Sequence, residues 1–175
     1  MVEVLRRSSL EGIADFKTRK AGISALQPLQ RYSLRVGSAA IVEAGKAFGV
    51  PLPTEAGRVH VEGDKSALWL GPDEWLLLAP VGTAVAISAP HSMVDISHRQ
   101  MALEVSGSRA EDLLNAGVML DLRLAAFGVN TCARTLLGKA DVIVWRTDTN
   151  RFHLEVWRSF APYVRAYLEQ ASAGL

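Results

Sequence analysis

Two stretches of this chain, 58–79 and 131–157, each read as three successive strands with only turn residues between them. That pattern leaves no regular strand-helix-strand alternation and points to an α+β architecture of mainly antiparallel sheet. In the first stretch, Arg58–Glu62, Ala67–Leu70 and Glu74–Ala79 are the strands, the last two separated by Gly71-Pro72-Asp73. In the second, Thr131–Leu137, Ala140–Thr147 and Arg151–Trp157 follow one another, with a hairpin turn at Asp148-Thr149-Asn150. A strand or two and a short helix precede each triplet. LQRYSLRV (29–36) alternates Leu29, Arg31, Ser33 and Arg35 against Gln30, Tyr32, Leu34 and Val36, and Ser38 is placed to cap a helix that stops at Gly49 and Pro51. MVDIS (93–97) and MALEV (101–105) lead to a Ser108-x-x-Glu111 capping box, a helix with Leu113 and Leu114 on its apolar face, and a stop at Gly117. A last helix has Ser159 as its cap and Pro162 in its first turn. Its core face is Val164, Tyr167, Leu168 and Ala171, with an exposed Arg165/Glu169 pair. The expectation is an N-terminal arm (1–28), loosely held, and two ferredoxin-like-type units with packed helices, 29–90 and 91–175.

Of the 175 residues, 49% are hydrophobic and 21% charged, and the net charge is +1, which rules out whole-chain disorder and gives no basic field for nucleic acid. The uncharged run from Trp75 to His91 falls short of the roughly 20 residues of a membrane span and is broken by Pro80, Gly82 and Pro90. Charges at Glu3, Arg6, Arg7, Glu11 and Asp15 leave no apolar core for a secretion signal. The single Cys132 excludes an internal disulfide and fits a reducing, cytoplasmic setting. One imbalance stands out. Of the 19 basic residues, 14 are Arg and 5 are Lys, and the weakly hydrated guanidinium suits buried ion pairs and contact surfaces better than an ammonium does. Codon bias yields the same imbalance.

No motif carries an obvious chemistry. The four histidines (60, 91, 98, 153) lack metal-ligand spacing, and His60 and His153 fall on polar strand faces that read as solvated. Asp95, Ser97 and His98 could orient an imidazole for acid-base work, but no nucleophile elbow accompanies them, and a turn capped by Asp or Ser accounts for the same residues. Gly-rich phosphate loops are absent. Cys132 reads as a small buried hydrophobe; Arg134, two positions on, would lower its pKa only if both were exposed. Trp145-Arg146 and Trp157-Arg158 are paired near strand ends, and both residue types are enriched at binding hot spots. With Arg134 they are the candidate interface residues: Arg134, Trp145, Arg146, Trp157 and Arg158.

Four ordered blocks, LGPDEWLLLAP (70–80), VDISHRQMALEVSGSRAEDLLNAGVMLDL (94–122), FGVNTCARTLLGKADVIVWR (127–146) and FHLEVWRSFAPYVRAYL (152–168), resemble the gamma subunit of heterotetrameric sarcosine oxidase. More remotely the chain is similar to the folate-binding fold of the glycine-cleavage aminomethyltransferase, through Asp95-Ile96-Ser97-His98, Val105 through Leu114, and Asp141-Val142-Ile143-Val144. The resemblance implies a non-catalytic subunit held with alpha, beta and delta partners in a complex that oxidatively demethylates sarcosine to glycine. It implies that FAD, FMN, NAD and tetrahydrofolate lie on the partner subunits and that this chain carries no cofactor and no metal. Asp141 is the position at which a residual folate contact would fall, although a strand-start Asp bonding its own turn is the simpler explanation. The Lys-Gly-Cys-Tyr-x-Gly-Gln stretch of a related iron-sulfur-maintenance branch is missing around Cys132. Two other readings stay open: a free-standing folate-fold protein that binds tetrahydrofolate, and a small hydrolase using His98 with Ser97 or Asp95.

Overall fold

A computed structural model describes Ser9, Leu10 and residues 15–175. Eleven strands run in chain order among these residues. The first six are β1 (Phe16–Lys17), β2 (Gly22–Ala25), β3 (Gln30–Val36), β4 (Val59–Glu62), β5 (Lys65–Gly71) and β6 (Glu74–Ala79). The others are β7 (His91–Asp95), β8 (Gln100–Ser106), β9 (Cys132–Leu137), β10 (Ala140–Asp148) and β11 (Arg151–Trp157). The helices are α1 (Ile41–Phe48), α2 (Ala110–Asn115) and α3 (Ala161–Ser172). The strands form a five-stranded sheet, β4-β5-β6-β3-β7, and a six-stranded sheet, β1-β2-β8-β11-β10-β9, with every pairing antiparallel. The α+β, mainly antiparallel architecture expected from the strand triplets is the one observed.

Period-2 patterning explains the layers, because alternate side chains of a strand leave opposite faces of its sheet. On the five-stranded sheet, Leu34, Val36, Ala67, Trp75 and Leu77 face outward against Ala44 and Phe48 of α1. On the six-stranded sheet, Leu103, Val105, Val142, Val144, Leu154 and Val156 face outward against Leu113 and Leu114 of α2 and Val164 and Leu168 of α3. The other faces of the two sheets meet each other, around Val59, Leu68, Leu76, Leu78, Ile96, Cys132, Ile143 and Trp145. The result is a four-layer helix-sheet-sheet-helix sandwich. Its middle layer is where the functional question lies.

The sheets divide the chain differently from the sequence pattern. His91–Asp95, which the pattern assigns to a second unit, pairs with β3 in the five-stranded sheet. Gly22–Ala25, within the expected arm, pairs with β8, and its Ile23 is buried in the larger core. Residues 1–8 and 11–14 of that arm lie outside the described residues. The long uncharged run is β6 followed by an irregular connection, and no helix among the described residues is long and apolar enough to cross a membrane.

The three expected Ser caps are not made. Ahead of α1 the chain tightens into a 3-10 turn at Ser38–Ala40, in which the Ala40 N–H bonds the Gly37 carbonyl, and no side chain caps the helix. Gly49 ends α1 as expected, in the left-handed conformation, with its N–H on the Gly45 carbonyl. At α2, Ala110 N–H bonds the Gly107 carbonyl, and Glu111 turns away from any capping box to accept a bond from Arg146. At α3 the cap position is Phe160, whose N–H takes the Trp157 carbonyl. Arg165 does reach Glu169, at 2.7 Å, but it is buried on the helix's inner side rather than exposed.

The candidate functional site: a cleft between the sheets

The two sheets are stitched together at one end by backbone. Arg58 and Thr131 form an isolated antiparallel bridge, Val59 N–H bonds the Asn130 carbonyl at 2.9 Å, and Cys132 N–H bonds the Gly57 carbonyl at 2.7 Å. Cys132 lies buried beside this seam with its Sγ 3.4 Å from the Trp69 carbonyl, and burial pushes its thiol pKa up to about 12 despite that bond. A thiol held protonated is a poor nucleophile. Cys132 is therefore expected to resist iodoacetamide in the folded protein and to react at the rate of a free peptide thiol once urea unfolds it. Mass spectrometry of the alkylated chain reads the difference.

Away from the seam the inter-sheet layer turns polar. On β3 the residues facing the six-stranded sheet are Arg31, Ser33 and Arg35. Arg31, 2% exposed, donates from Nε to Glu155 Oε2 at 2.7 Å and from Nη1 to the Leu29 carbonyl at 3.1 Å. The other oxygen of Glu155, Oε1, is 2.7 Å from His153 Nε2. Burial alone would raise the Glu155 pKa; the His153 hydrogen bond and charge, joined by Arg31, outweigh it and hold the carboxyl below its ordinary value. His153 is thus an interior residue stacked 5.4 Å from Trp145, not the solvated histidine that its polar-face position implies. A buried carboxylate on β11 dictated this: the imidazole and the guanidinium are what make burying Glu155 tolerable.

Glu155 forms part of the floor of a cleft of about 390 Å³ that opens between the sheets. From the five-stranded sheet come Ser33, Arg35, Leu70, Glu74 and Leu76; from the six-stranded sheet and its leading loop come Arg99, Gln100, Arg134, Asp141 and Trp157. Register explains the second group, since Gln100 lies opposite Trp157 across β8/β11 and Asp141 opposite Leu136 across β9/β10. Glu74 accepts from Arg35 of its own sheet at 3.0 Å and from Arg134 of the other sheet at 2.6 Å, the second bond tying the sheets across one side. Arg99 lies over the Trp157 ring, 5.3 Å from its centroid. Gln100 Oε1 is buried without a hydrogen-bond partner.

The sequence-derived candidates separate on this geometry. Arg134, Trp157 and Asp141 line the cleft, and Arg158, exposed, lines a smaller neighbouring hollow that shares Gln100 with it. Trp145 and Arg146 are interior. Arg146 donates to the carbonyls of Leu122 and Thr149 and to Glu111 at 2.9 Å, and its guanidinium sits 4.3 Å from the Phe152 ring centroid. Asp95, Ser97 and His98 form no catalytic relay. Asp95 accepts from Ser97 N–H at 2.8 Å and from Gln30 at 2.7 Å, Ser97 Oγ accepts the Arg31 N–H at 2.8 Å, and His98 is exposed. The turn in which Asp and Ser bond local backbone is what these residues build. Among the described residues no group of three or more His, Cys, Asp or Glu could hold a metal ion.

Arg31, Ser33, Arg35, Glu74, Arg99 and Gln100 escape a sequence reading because a polar residue alternating with an apolar one normally faces water. The available signal was the preference for Arg over Lys, and here Arg31 and Arg146 do serve as buried ion-pair partners.

The solved and curated proteins similar to this chain fit the same architecture. A chain of the heterotetrameric sarcosine oxidase from Corynebacterium sp. U-96, in complex with pyrrole 2-carboxylate, superposes with a TM-score of 0.85 at 26% identity, covering 97% of this chain and 95% of that one. Glycine cleavage system aminomethyltransferase T from Bartonella henselae shares the fold at a TM-score of 0.60 and 12% identity, over 85% of this chain and 45% of that one. Among curated proteins, sarcosine oxidase subunit gamma of Corynebacterium sp. (strain P-1) is 31% identical over 95% of this chain and 90% of its own length. The subunit gamma of Arthrobacter sp. is 33% identical over 86% and 81%. Residues 36–174 match the description of the sarcosine oxidase, gamma subunit family, and the chain belongs to that family.

Proposed function

We propose that the chain is a non-catalytic subunit of a heterotetrameric sarcosine oxidase, cytoplasmic, held with alpha, beta and delta partners. The partners carry FAD, FMN, NAD and tetrahydrofolate and oxidatively demethylate sarcosine to glycine. One observation carries the reading: the near end-to-end match, in both directions, to a chain of a heterotetrameric enzyme of that name. The chemistry of this chain's own residues supports a structural role. The thiol is buried and protonated, the Ser97 hydroxyl is occupied by backbone, and the best-organised ionisable group, Arg31-Glu155-His153, braces one sheet against the other.

Co-purification of a tagged chain from its native cell tests the proposal. Flavin-containing subunits in equimolar amount are expected, together with sarcosine-dependent peroxide formation. A wild-type chain that elutes alone, or a stoichiometric flavin spectrum from the isolated chain, overturns it. A second reading, a free-standing binder of a reduced folate, has the placement of Asp141 in the cleft in its favour. Saturable calorimetric binding of tetrahydrofolate by the isolated chain, lost in Asp141→Asn, would replace the first reading with this one.

A further inference from the structure

The open end of the cleft has two features that a finished surface does not need. The Arg99 guanidinium lies on the Trp157 ring and, among the described residues, makes no ion pair or hydrogen bond. Arg35 and Arg134, by contrast, are both already engaged by Glu74. Finally, large apolar side chains stand in water at and beside the cleft: Trp157, which lines it, is 43% exposed, and Leu136, directly across β9/β10 from the cleft-lining Asp141, is 48% exposed.

We infer that this cleft is the seat of an extended segment of a partner chain that inserts an Asp or Glu side chain. The inference rests on the reading of the chain as a subunit and adds the place and chemistry of the contact. The inserted carboxylate takes Arg99, which its stacking on Trp157 holds in place. Backbone N–H groups of the segment supply donors for the Asp141 carboxylate, which is exposed where it lines the cleft. Apolar neighbours of the acid cover Trp157 and Leu136. A volume of about 390 Å³ accommodates a few residues of chain. A Trp stacked with an Arg is the pair of residue types most enriched at binding hot spots. A small free ligand would use Arg99 equally well, but it would leave the exposed Trp157 and the neighbouring Leu136 without purpose.

The test uses the full chain co-expressed with its alpha, beta and delta partners. The photo-cross-linker p-benzoylphenylalanine replaces Trp157 or Leu136 and, as controls, Val42 or Met119, which are exposed on other faces. Cross-links from positions 157 and 136 to one partner peptide containing Asp or Glu are expected. Arg99→Glu should lower the partner recovered by about tenfold or more, as losing one member of a buried charge pair does at an interface. Arg99→Gln should lower it less, and both variants should keep the wild-type melting temperature. Assembly with cross-links confined to positions 42 or 119 overturns the placement alone, as does full recovery of partner with Arg99→Glu. A cross-linked peptide without an acidic residue overturns the acidic occupant. If the wild-type chain captures no subunit, the proposed function fails and this inference fails with it.

Discussion

Glu155→Ala is expected to destabilise the chain by about 3–5 kcal/mol, because it strands the Arg31 guanidinium in the interior without its counter-charge. Urea unfolding followed by tryptophan fluorescence reads the change directly. The double variant Arg31→Leu/Glu155→Leu should regain most of that loss, since well-packed apolar residues often replace a buried pair at little net cost. A double variant no more stable than Glu155→Ala would show that the residues contribute separately. Acid gives a second handle. The folded carboxyl is held below its ordinary pKa, so its contribution is complete above the unfolded value near about 4.3 and is lost as pH falls through the folded value. Wild type should therefore lose stability more steeply than the double variant does as pH falls below about 4.3.

Arg146→Ala is expected to cost a similar amount, about 3–5 kcal/mol, and to do so in the isolated chain. The guanidinium holds the carbonyls of Leu122 and Thr149 and the Glu111 carboxylate, and it covers Phe152. Its removal leaves the buried Leu122 carbonyl without that donor and opens a void beneath the loop before β9. A melting temperature lowered by several degrees, alongside weaker recovery of partner subunits, would assign the second effect to the first. Wild-type stability with weakened assembly would instead return Arg146 to the partner surface.

Strand identity was legible because it is written locally. The pairs β5/β6 and β10/β11 are announced by period-2 runs around turn residues, and they occur where those runs place them. Which strand pairs with a distant one is not written locally. His91–Asp95 joins β3 and Gly22–Ala25 joins β8 because the chain returns to a sheet edge, a fact of topology that alternation cannot express. Capping failed for a related reason: Ser38, Ser108 and Ser159 had the right chemistry, but each helix start was already satisfied by a tight turn of backbone. The cleft was half visible. Arg134, Asp141 and Trp157 were singled out individually, yet the partners that make them a site, Arg35, Glu74, Arg99 and Gln100, come from strands and a loop far away in sequence. Arg31 and His153 were hidden by the assumption that the polar half of an alternating strand meets water, which fails when a second sheet covers that face.

The stitching of the sandwich makes its cross-sheet links mechanically unequal. At the Arg58/Thr131 seam the sheets share main-chain bonds that salt does not touch, while at the cleft they are linked by the ion pair of Glu74 with the half-exposed Arg134. Mobile ions screen exposed charges over about 8 Å at physiological ionic strength, so added salt weakens the ion pair and spares the seam. The Arg31-Glu155 pair, sealed in the interior, is sheltered with the seam, and high salt therefore loosens the mouth of the cleft before its floor.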